Sequence, residues 1–524
     1  MFLRILRFAA PPLASALLLW ATFVPECQAA GLAMALVPVL VVARTGSPSR
    51  SFWSFLLFGF IFWFATLSWM PAIIANDGPW PLVLLGWVGL AFYCALYFAL
   101  FGFLDSMLWS RRRMVVLLPF LEAFLWAGFE ILRARLFTGF AWNCLGTGLV
   151  PIPRLLAPAA FGGVFLVSAC IILANGIAAT LLVNVFRREG SRAMRFCSTG
   201  LPLLALYMTY SFSPSLAMGG EYMPLRVALV QRNAPCIFSA NASSGDALLA
   251  YTELASDIAD SAPELVVLAE SAFSEFGAIG GQNAILVANH LRETAGGATA
   301  LIGGGDFMDP SRHLYNAAAL YTAGGLSSLY FKQHLVPFGE YIPLDKTFTF
   351  LQAFSPLGIS LHPGKAKVFD VPVRSGANVR LAPLICYEDT DSKLTRQAAR
   401  LGAQGIVLIT NDAWFAHSHE AEAHAQQAVL RAVETGLPVM RTGNSGITCI
   451  IEPSGQIAAS CDPDTASALS DIVLLPKHPE PTIYTRLGDW PLAALFAFSV
   501  VLALLSRPAR NALSDLRSPA TSYA

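Results

Sequence analysis

The sequence predicts a polytopic helical membrane domain of about eight spans joined to an α/β domain that stands in water. Three observations point there. Of 524 residues, 55% are hydrophobic and only 13% charged, with a mean hydropathy of +0.57, which is far too apolar for an ordinary soluble enzyme. Long apolar runs flank a polar block at about residues 213–487. Within that block, strand-like and helix-like segments alternate.

The apolar runs fall at about residues 8–24, 29–43, 52–74, 79–104, 114–132, 160–185, 198–212 and 488–506. Most are long enough to cross a hydrocarbon core of about 30 Å as helices; the second and seventh are short. Flanking charge orients them, because cytoplasmic loops collect Arg and Lys. Arg4 and Arg7 precede the first run, and Arg44 and Arg50 follow the second. Arg111, Arg112 and Arg113 follow the fourth run, Arg187, Arg188, Arg192 and Arg195 the sixth, and Arg507, Arg510 and Arg517 the last. If every run spans, these share one side, and the polar block faces the other, outside the cytoplasm. A cleaved leader over residues 1–30 is the alternative, since Gln28-Ala29-Ala30 follows the basic start and apolar run. Cleavage would upset the alternation of basic loops, so a retained helix is expected. Glu122 and Glu130 in the fifth run are expected near the interface or paired, Glu130 for example with Arg133.

In the polar block, residues 226–231, 265–269, 300–303, 315–321, 379–385, 406–410 and 447–451 read as strands. Residues 246–262, 283–295, 391–403 and 420–435 read as helices. The expected organisation is 1–212 for seven spans, 213–487 for the extracytoplasmic α/β domain, and 488–524 for a last span with a short cytoplasmic tail. Net charge is +0, so no basic footprint for nucleic acid exists. Nine cysteines at 27, 94, 144, 170, 197, 236, 386, 449 and 461 show no C-x-x-C spacing, which excludes a readable zinc site or disulfide framework.

Chemistry concentrates at strand ends, where α/β sheets form their sites. Glu270 closes Leu265-Val266-Val267-Leu268-Ala269, Lys332 follows Leu329-Tyr330-Phe331, and Cys386 ends an apolar strand. A free thiol is mostly protonated at neutral pH, so a nucleophilic cysteine needs a base and a nearby cation. Glu270 can take the proton and Lys332 can stabilise the developing anions. Spacing alone also allows a surface ion pair and a buried thiol. Gly303-Gly304-Gly305 lacks the lysine of a phosphate loop and reads as a strand-end turn.

Longer motifs decide between these. The segments 332–343 (KQHLVPFGEYIP), Ile385-Cys386-Tyr387-Glu388, Thr410-Asn411-Asp412-Ala413-Trp414-Phe415, Gly446-Ile447-Thr448 and Pro453-Ser454-Gly455 resemble the carbon–nitrogen hydrolase (nitrilase) superfamily. Together with 136–143 (LFTGFAWN), they are similar to its membrane-bound branch, the apolipoprotein N-acyltransferase family. That resemblance implies an αββα sandwich for the polar block and a Glu270, Lys332, Cys386 triad. It implies an acyl thioester on Cys386, taken from a phospholipid and passed to the N-terminal α-amine of a diacylglyceryl-cysteine apolipoprotein. Glu340, Tyr387 and Glu388 match supporting positions, with the Tyr387 N–H beside Lys332 at the oxyanion. Trp414, Phe415, Tyr341 and Trp142 are the expected substrate contacts. The resemblance implies no cofactor and no metal, although His417, His419 and His424 with Glu420 and Glu422 imitate a metal cluster. It implies a monomer in the bacterial inner membrane with its catalytic domain facing the periplasm. Phe348, Phe350, Leu351, Phe354, Leu357 and Ile359 are expected to form a loop that touches lipid.

The chain departs from the family at Ala269 and Ala141, and in Cys236-Ile237-Phe238 where a Trp is usual. These departures bear on substrate contacts and acyl-chain choice. Two rival readings stay open: a membrane-tethered nitrilase-type amidase or hydrolase, and a non-catalytic lipoprotein-binding protein.

Overall fold

The computed structural model describes residues 2–24, 29, 31–76, 78–110, 117–187, 200–202, 204–207, 220–235, 244–343, 347, 360–415 and 418–506. The 348–359 loop, Cys27, Cys197, Cys236 to Phe238, His417, most of the seventh run, Arg111 to Arg113, and the basic residues from Arg188 and from Arg507 lie outside the described residues.

The first helices are α1 (Phe2–Ala21), α2 (Val37–Thr45), α3 (Pro48–Thr66), α4 (Trp80–Trp109), α5 (Leu118–Arg135) and α6 (Ala159–Arg187). Among the described residues, three stretches are long and apolar enough to cross a membrane: Pro48–Asn76, Trp80–Trp109 and Ala159–Phe186. Phe8–Ala21 and Trp490–Leu504 are shorter apolar helices. The second run forms helix over only nine residues, about 14 Å at 1.5 Å per residue.

Arg44, read as flanking, is instead internal, and it supplies the partner expected for Glu122. Arg44 is buried and donates to Glu122 at 2.9 Å, to Leu40 O and Gly176 O, and to Thr180 Oγ1. A buried pair of this kind satisfies both groups without water. Glu130 accepts from Trp126 Nε1 at 2.9 Å and from the Leu145 N–H at 2.7 Å. Arg133 donates instead to the carbonyls of Phe140 and Trp142 at 2.7 and 2.6 Å. The expected Glu130–Arg133 pairing gives way to backbone bracing, because the turn after α5 returns close enough to present its carbonyls.

The polar block is a four-layer sandwich. One sheet runs β12-β1-β2-β3-β4-β5 and the other β11-β10-β9-β8-β7-β6. The first sheet's strands are β1 (Tyr222–Gln231), β2 (Leu265–Leu268), β3 (Ala300–Met308), β4 (Leu314–Thr322), β5 (Gly325–Phe331) and β12 (Ser467–Pro476). The second holds β6 (Phe369–Pro372), β7 (Asn378–Ile385), β8 (Gly405–Thr410), β9 (Val439–Gly443), β10 (Cys449–Ile451) and β11 (Ile457–Ser460). Side-chain alternation sorts the core as a strand must. Leu225, Val227 and Leu229 face the opposing sheet with Leu381, Val407 and Met440. Ala228 and Val230 face α7 (Ser244–Asp257) and α8 (Gln282–Thr294). On the other side, α9 (Ser392–Arg400) and α10 (Glu420–Thr435) cover the second sheet, and that core continues into α5 and α6. The chain closes with α11 (Ile483–Leu487) and α12 (Trp490–Leu504).

Five strands escaped the sequence reading: β5, β6, β9, β11 and β12. Arg441 interrupts β9 yet is fully buried against Asp412, while β11 is exposed over most of its length and β12 alternates only near its end. Gly303, Gly304 and Gly305 correct a further expectation, since they lie inside β3. A Cβ on Gly304 would meet Glu270 Cα at 2.8 Å and Ile409 Cδ1 at 2.9 Å. The glycines let the two sheets close around Glu270.

Candidate active site

Parallel pairing of β1 with β2 and of β7 with β8 and β9 sends several carboxyl ends to one edge of the sandwich. Glu270 follows β2, Lys332 follows β5, Cys386 follows β7 and the Asn411–Phe415 loop follows β8. Lys332 Nζ lies 2.8 Å from Glu340 Oε1 and 3.6 Å from Glu270 Oε1. Asn316, within β4, donates to Glu270 Oε1 at 2.7 Å and to Glu340 Oε1 at 3.0 Å. The Val336 N–H holds the other Glu340 oxygen at 2.8 Å. One lysine and one amide thus fix two carboxylates, and the Cys386 thiol stands close enough to Glu270 that each shifts the other's protonation.

Cys386 has φ of +51°. A side chain in this left-handed region costs about 1 kcal/mol or more. The strain turns the thiol out of β7 into the short helical turn Cys386–Thr390. Glu388 holds that turn: it accepts from the N–H groups of Ile385 (2.8 Å), Gln333 (2.6 Å) and His334 (3.2 Å) and from the Tyr330 hydroxyl (2.7 Å). A single buried carboxylate therefore ties the Cys386 turn to the Lys332 loop.

Electrostatics set the resting protonation. Burial, then Glu270, push the Cys386 thiol up to about 12, against the pull of Lys332 and His424. Burial also raises the Glu270 carboxyl, with Lys332 opposing and Glu340 adding. Lys332 is held well above the usual lysine range because Glu340 and Glu270 outweigh its burial. The site rests with a neutral thiol, a carboxylate base near it and a permanent cation alongside. Such a set can move a thiol proton to Glu270 as sulfur attacks a carbonyl carbon.

The supporting and contact residues are distributed unevenly. Tyr387 donates to Gly139 O at 3.3 Å, and its ring meets His334, whose Nε2 lies 2.9 Å from Thr138 O. The 136–143 segment therefore braces both site loops. Phe415 meets Trp69 edge-on at 4.8 Å, and Trp69 meets Trp142 at 5.6 Å. Trp142 is 2% exposed and lies a layer behind Phe415. Trp414 is half-buried, with its carbonyl accepting from Asn76 Nδ2 at 2.9 Å. Tyr341 is half-buried and gives its carbonyl to the Phe338 N–H. Asn316, Tyr330 and Asp389 were missed by sequence reasoning. Asn316 left one signal, a lone amide in an otherwise apolar strand.

The imitation of a metal cluster resolves differently. Asp412, Glu420 and His424 do bring ligand-type atoms within 4.8 Å, while His419 sits just before α10 without a side-chain capping bond. Both His424 nitrogens are already engaged, with Asp389 and Asp412 at 3.0 Å each, and Arg441 adds a cation at Asp412. This donor set does not fit a metal ion, which needs a free imidazole lone pair.

Comparison with known proteins agrees with this architecture. Residues 15–177 match the family model of the apolipoprotein N-acyltransferase N-terminal domain, and residues 226–474 match that of carbon-nitrogen hydrolase. An apolipoprotein N-acyltransferase of Azotobacter vinelandii is 33% identical over 494 residues, 90% of this chain and 89% of the relative. One of Brucella melitensis biotype 1 is 30% identical over 477 residues, 86% and 85% of the two chains. Among solved structures, an amidase from Nesterenkonia sp. aligns with 54% of this chain and 99% of its own at 19% identity, with a TM-score of 0.36. On the strength of identity sustained across both the helical and the sandwich halves, the chain belongs to the apolipoprotein N-acyltransferase family.

Proposed function

We propose that this chain moves a fatty acyl group from a phospholipid to the N-terminal α-amine of a diacylglyceryl-cysteine apolipoprotein. The observation that carries the reading is the convergence of Glu270, Lys332 and Cys386 at one strand edge, braced by the 136–143 segment of the helical half. Glu270 takes the Cys386 proton as sulfur attacks the ester carbonyl. The C–O bond breaks, and the proton passes to the departing lysophospholipid hydroxyl. The amine then attacks the thioester, the C–S bond breaks, and Glu270 relays the amine proton back to the thiolate. Lys332 and the Tyr387 N–H stabilise the oxyanion in both steps. Glu340 and Glu388 hold these groups, and Trp414, Phe415, Tyr341 and Trp142 line or support the acyl path.

Both substrates are lipid-anchored, so the site belongs against a bilayer. The reading includes about eight spans, of which the three long apolar stretches are the firmest support. It assigns 1–212 and the last span of 488–524 to the inner membrane, the short tail after that span to the cytoplasm and 213–487 to the periplasm, as a monomer. Mass spectrometry after incubation with phospholipid vesicles tests it. An acyl-sized adduct on Cys386 that a diacylglyceryl peptide discharges as an N-acyl amide is expected, and Cys386→Ser abolishes it. Glu270→Gln should slow adduct formation by about 10²- to 10⁴-fold. Release of free fatty acid without peptide acylation would instead make the chain a hydrolase, and an adduct elsewhere would reject Cys386.

A further inference from the structure

A buried charged cluster lies behind the Cys386 turn and takes no part in the chemistry just described. His424, on α10, is 2% exposed. Its Nε2 lies 3.0 Å from Asp389 Oδ1, and its Nδ1 lies 3.0 Å from Asp412 Oδ1. Ionised carboxylate oxygens only accept, so both ring nitrogens carry protons and the ring is an imidazolium. Burial opposes that charge, but Asp389 and Asp412 together hold the ring well above the ordinary histidine range.

Asp389 and Asp412 hold this state, and the other packed elements surround the pair with further groups. From β9, Arg441 donates to Asp412 Oδ2 at 2.8 Å. From β8, the Thr410 hydroxyl donates to Asp412 Oδ1 at 2.9 Å. On α10 itself, Glu420 stands 3.7 Å from Nδ1 with its carboxyl pushed up to about 8 by burial and then Asp412, so it adds little negative charge. Also on α10, Arg431 donates to the carbonyls of Asp389 and Thr390. Trp142 covers the ring at 5.8 Å between centroids.

The two anions belong to different working loops. Asp389 sits in the Cys386–Thr390 turn. Asp412 opens the Asp412–Phe415 turn, whose Ala413 and Trp414 carbonyls accept from Asn76 and whose Phe415 ring meets Trp69. Asn76 and Trp69 lie in the connection between α3 and α4. One imidazolium therefore stands between the thiol's turn and the aromatic loop that reaches the helical half.

We propose that His424 is a positioning residue for acyl transfer, a charged strut that keeps the Cys386 turn in register with the Trp414–Phe415 loop and, through Asn76 and Trp69, with the helical half. The proposal rests on the reading of Cys386 as the nucleophile. A histidine that merely filled the core would need neither its charge nor a partner in each loop. Its charge also reaches the thiol, where the imidazolium opposes the burial that keeps sulfur protonated.

The test uses the full chain in phospholipid vesicles and reads two things on Cys386: its acyl adduct by mass spectrometry, and its alkylation rate by iodoacetamide across pH. In His424→Gln, acylation should slow by about 10- to 100-fold, and the alkylation profile should move to higher pH because a cation has left. An unchanged profile and rate in a folded variant would overturn the proposal. The parent chain provides a second arm that needs no variant. Its alkylation rate should show no step near the ordinary imidazole pKa of about 6.5, since the ring stays charged, and a step there would overturn the proposal. Absence of any adduct on Cys386 in the parent would sink the reading of the nucleophile instead, so the two failures are distinct.

Discussion

At Cys386, burial and a neighbouring carboxylate keep the thiol protonated at rest, so the proposed reaction requires its reactivity to be produced at the moment of attack, by proton transfer to Glu270. The cost of this arrangement is a set of buried charges that must all stay paired. Glu420 is poorly satisfied: it is 3% exposed and its Oε2 has no hydrogen-bond partner among the described residues. Its carboxyl is pushed up to about 8, mainly by burial and then by Asp412. The unfolded chain would ionise it near about 4.3. The fold therefore favours the protonated form, and this group's contribution is fully present below about pH 4 and is lost as pH rises toward 8. Glu420→Gln should consequently raise Tm relative to the parent, by little at pH 5 and by more at pH 8. A difference that stayed constant across that range would refute the assignment. At the same scale, Glu270, Lys332 and Cys386 could be nominated from the sequence because each directly follows an apolar run. Asn316 and Asp389 were not, since their roles depend on partners that only folding brings near.

Among the elements, strand ends carry the three groups proposed for catalysis and loops brace them. The Cys386 turn and the Lys332 loop are joined through Glu388, which receives three backbone N–H groups and the Tyr330 hydroxyl. An amide in its place offers one acceptor oxygen and points an NH2 at these donors. Glu388→Gln should lower stability by about 3 kcal/mol and detach Lys332 from the thiol, so that Tm and the rate of Cys386 acylation fall together. A variant with unaltered Tm would show that the brace carries no weight. Element reading from the sequence did best where periodicity was clean: α10 covers Glu420–Thr435 as expected. It failed at β9, where Arg441 looks like an interruption until Asp412 is seen across from it. It also failed at β3, where three glycines suggested a turn but mark the close approach of the Glu270 backbone.

At the scale of the whole molecule, the two halves share one continuous core in which α10 packs on α6. The junction is specific. The Val164 N–H donates to Glu434 Oε1 at 2.9 Å, and Gly163, at φ of +67°, admits the Tyr484 ring, which a Cβ would meet at 2.5 Å. Arg135, at the end of α5, donates to Asp391 just after the Cys386 turn and to Asp489 at the start of α12. Gly163→Ala combines left-handed strain with a clash and should cost about 2 kcal/mol or more. It should lower Tm and slow Cys386 acylation even though the residue lies outside the site; an unchanged acylation rate would mean that docking of the halves does not govern the site.

The sequence by itself determined the family and an apolar helical half beside an α/β block, and it nominated the three residues proposed for catalysis, because hydropathy, side-chain period and strand-end motifs are local properties of the chain. The tertiary structure decided what each buried charge answers to. Arg44 pairs with Glu122 rather than lying in a loop, Glu130 braces backbone rather than Arg133, and His424 joins two carboxylates rather than a metal. These choices follow from desolvation: a buried charge must find a partner, and which partner it finds depends on elements that approach across long separations in sequence.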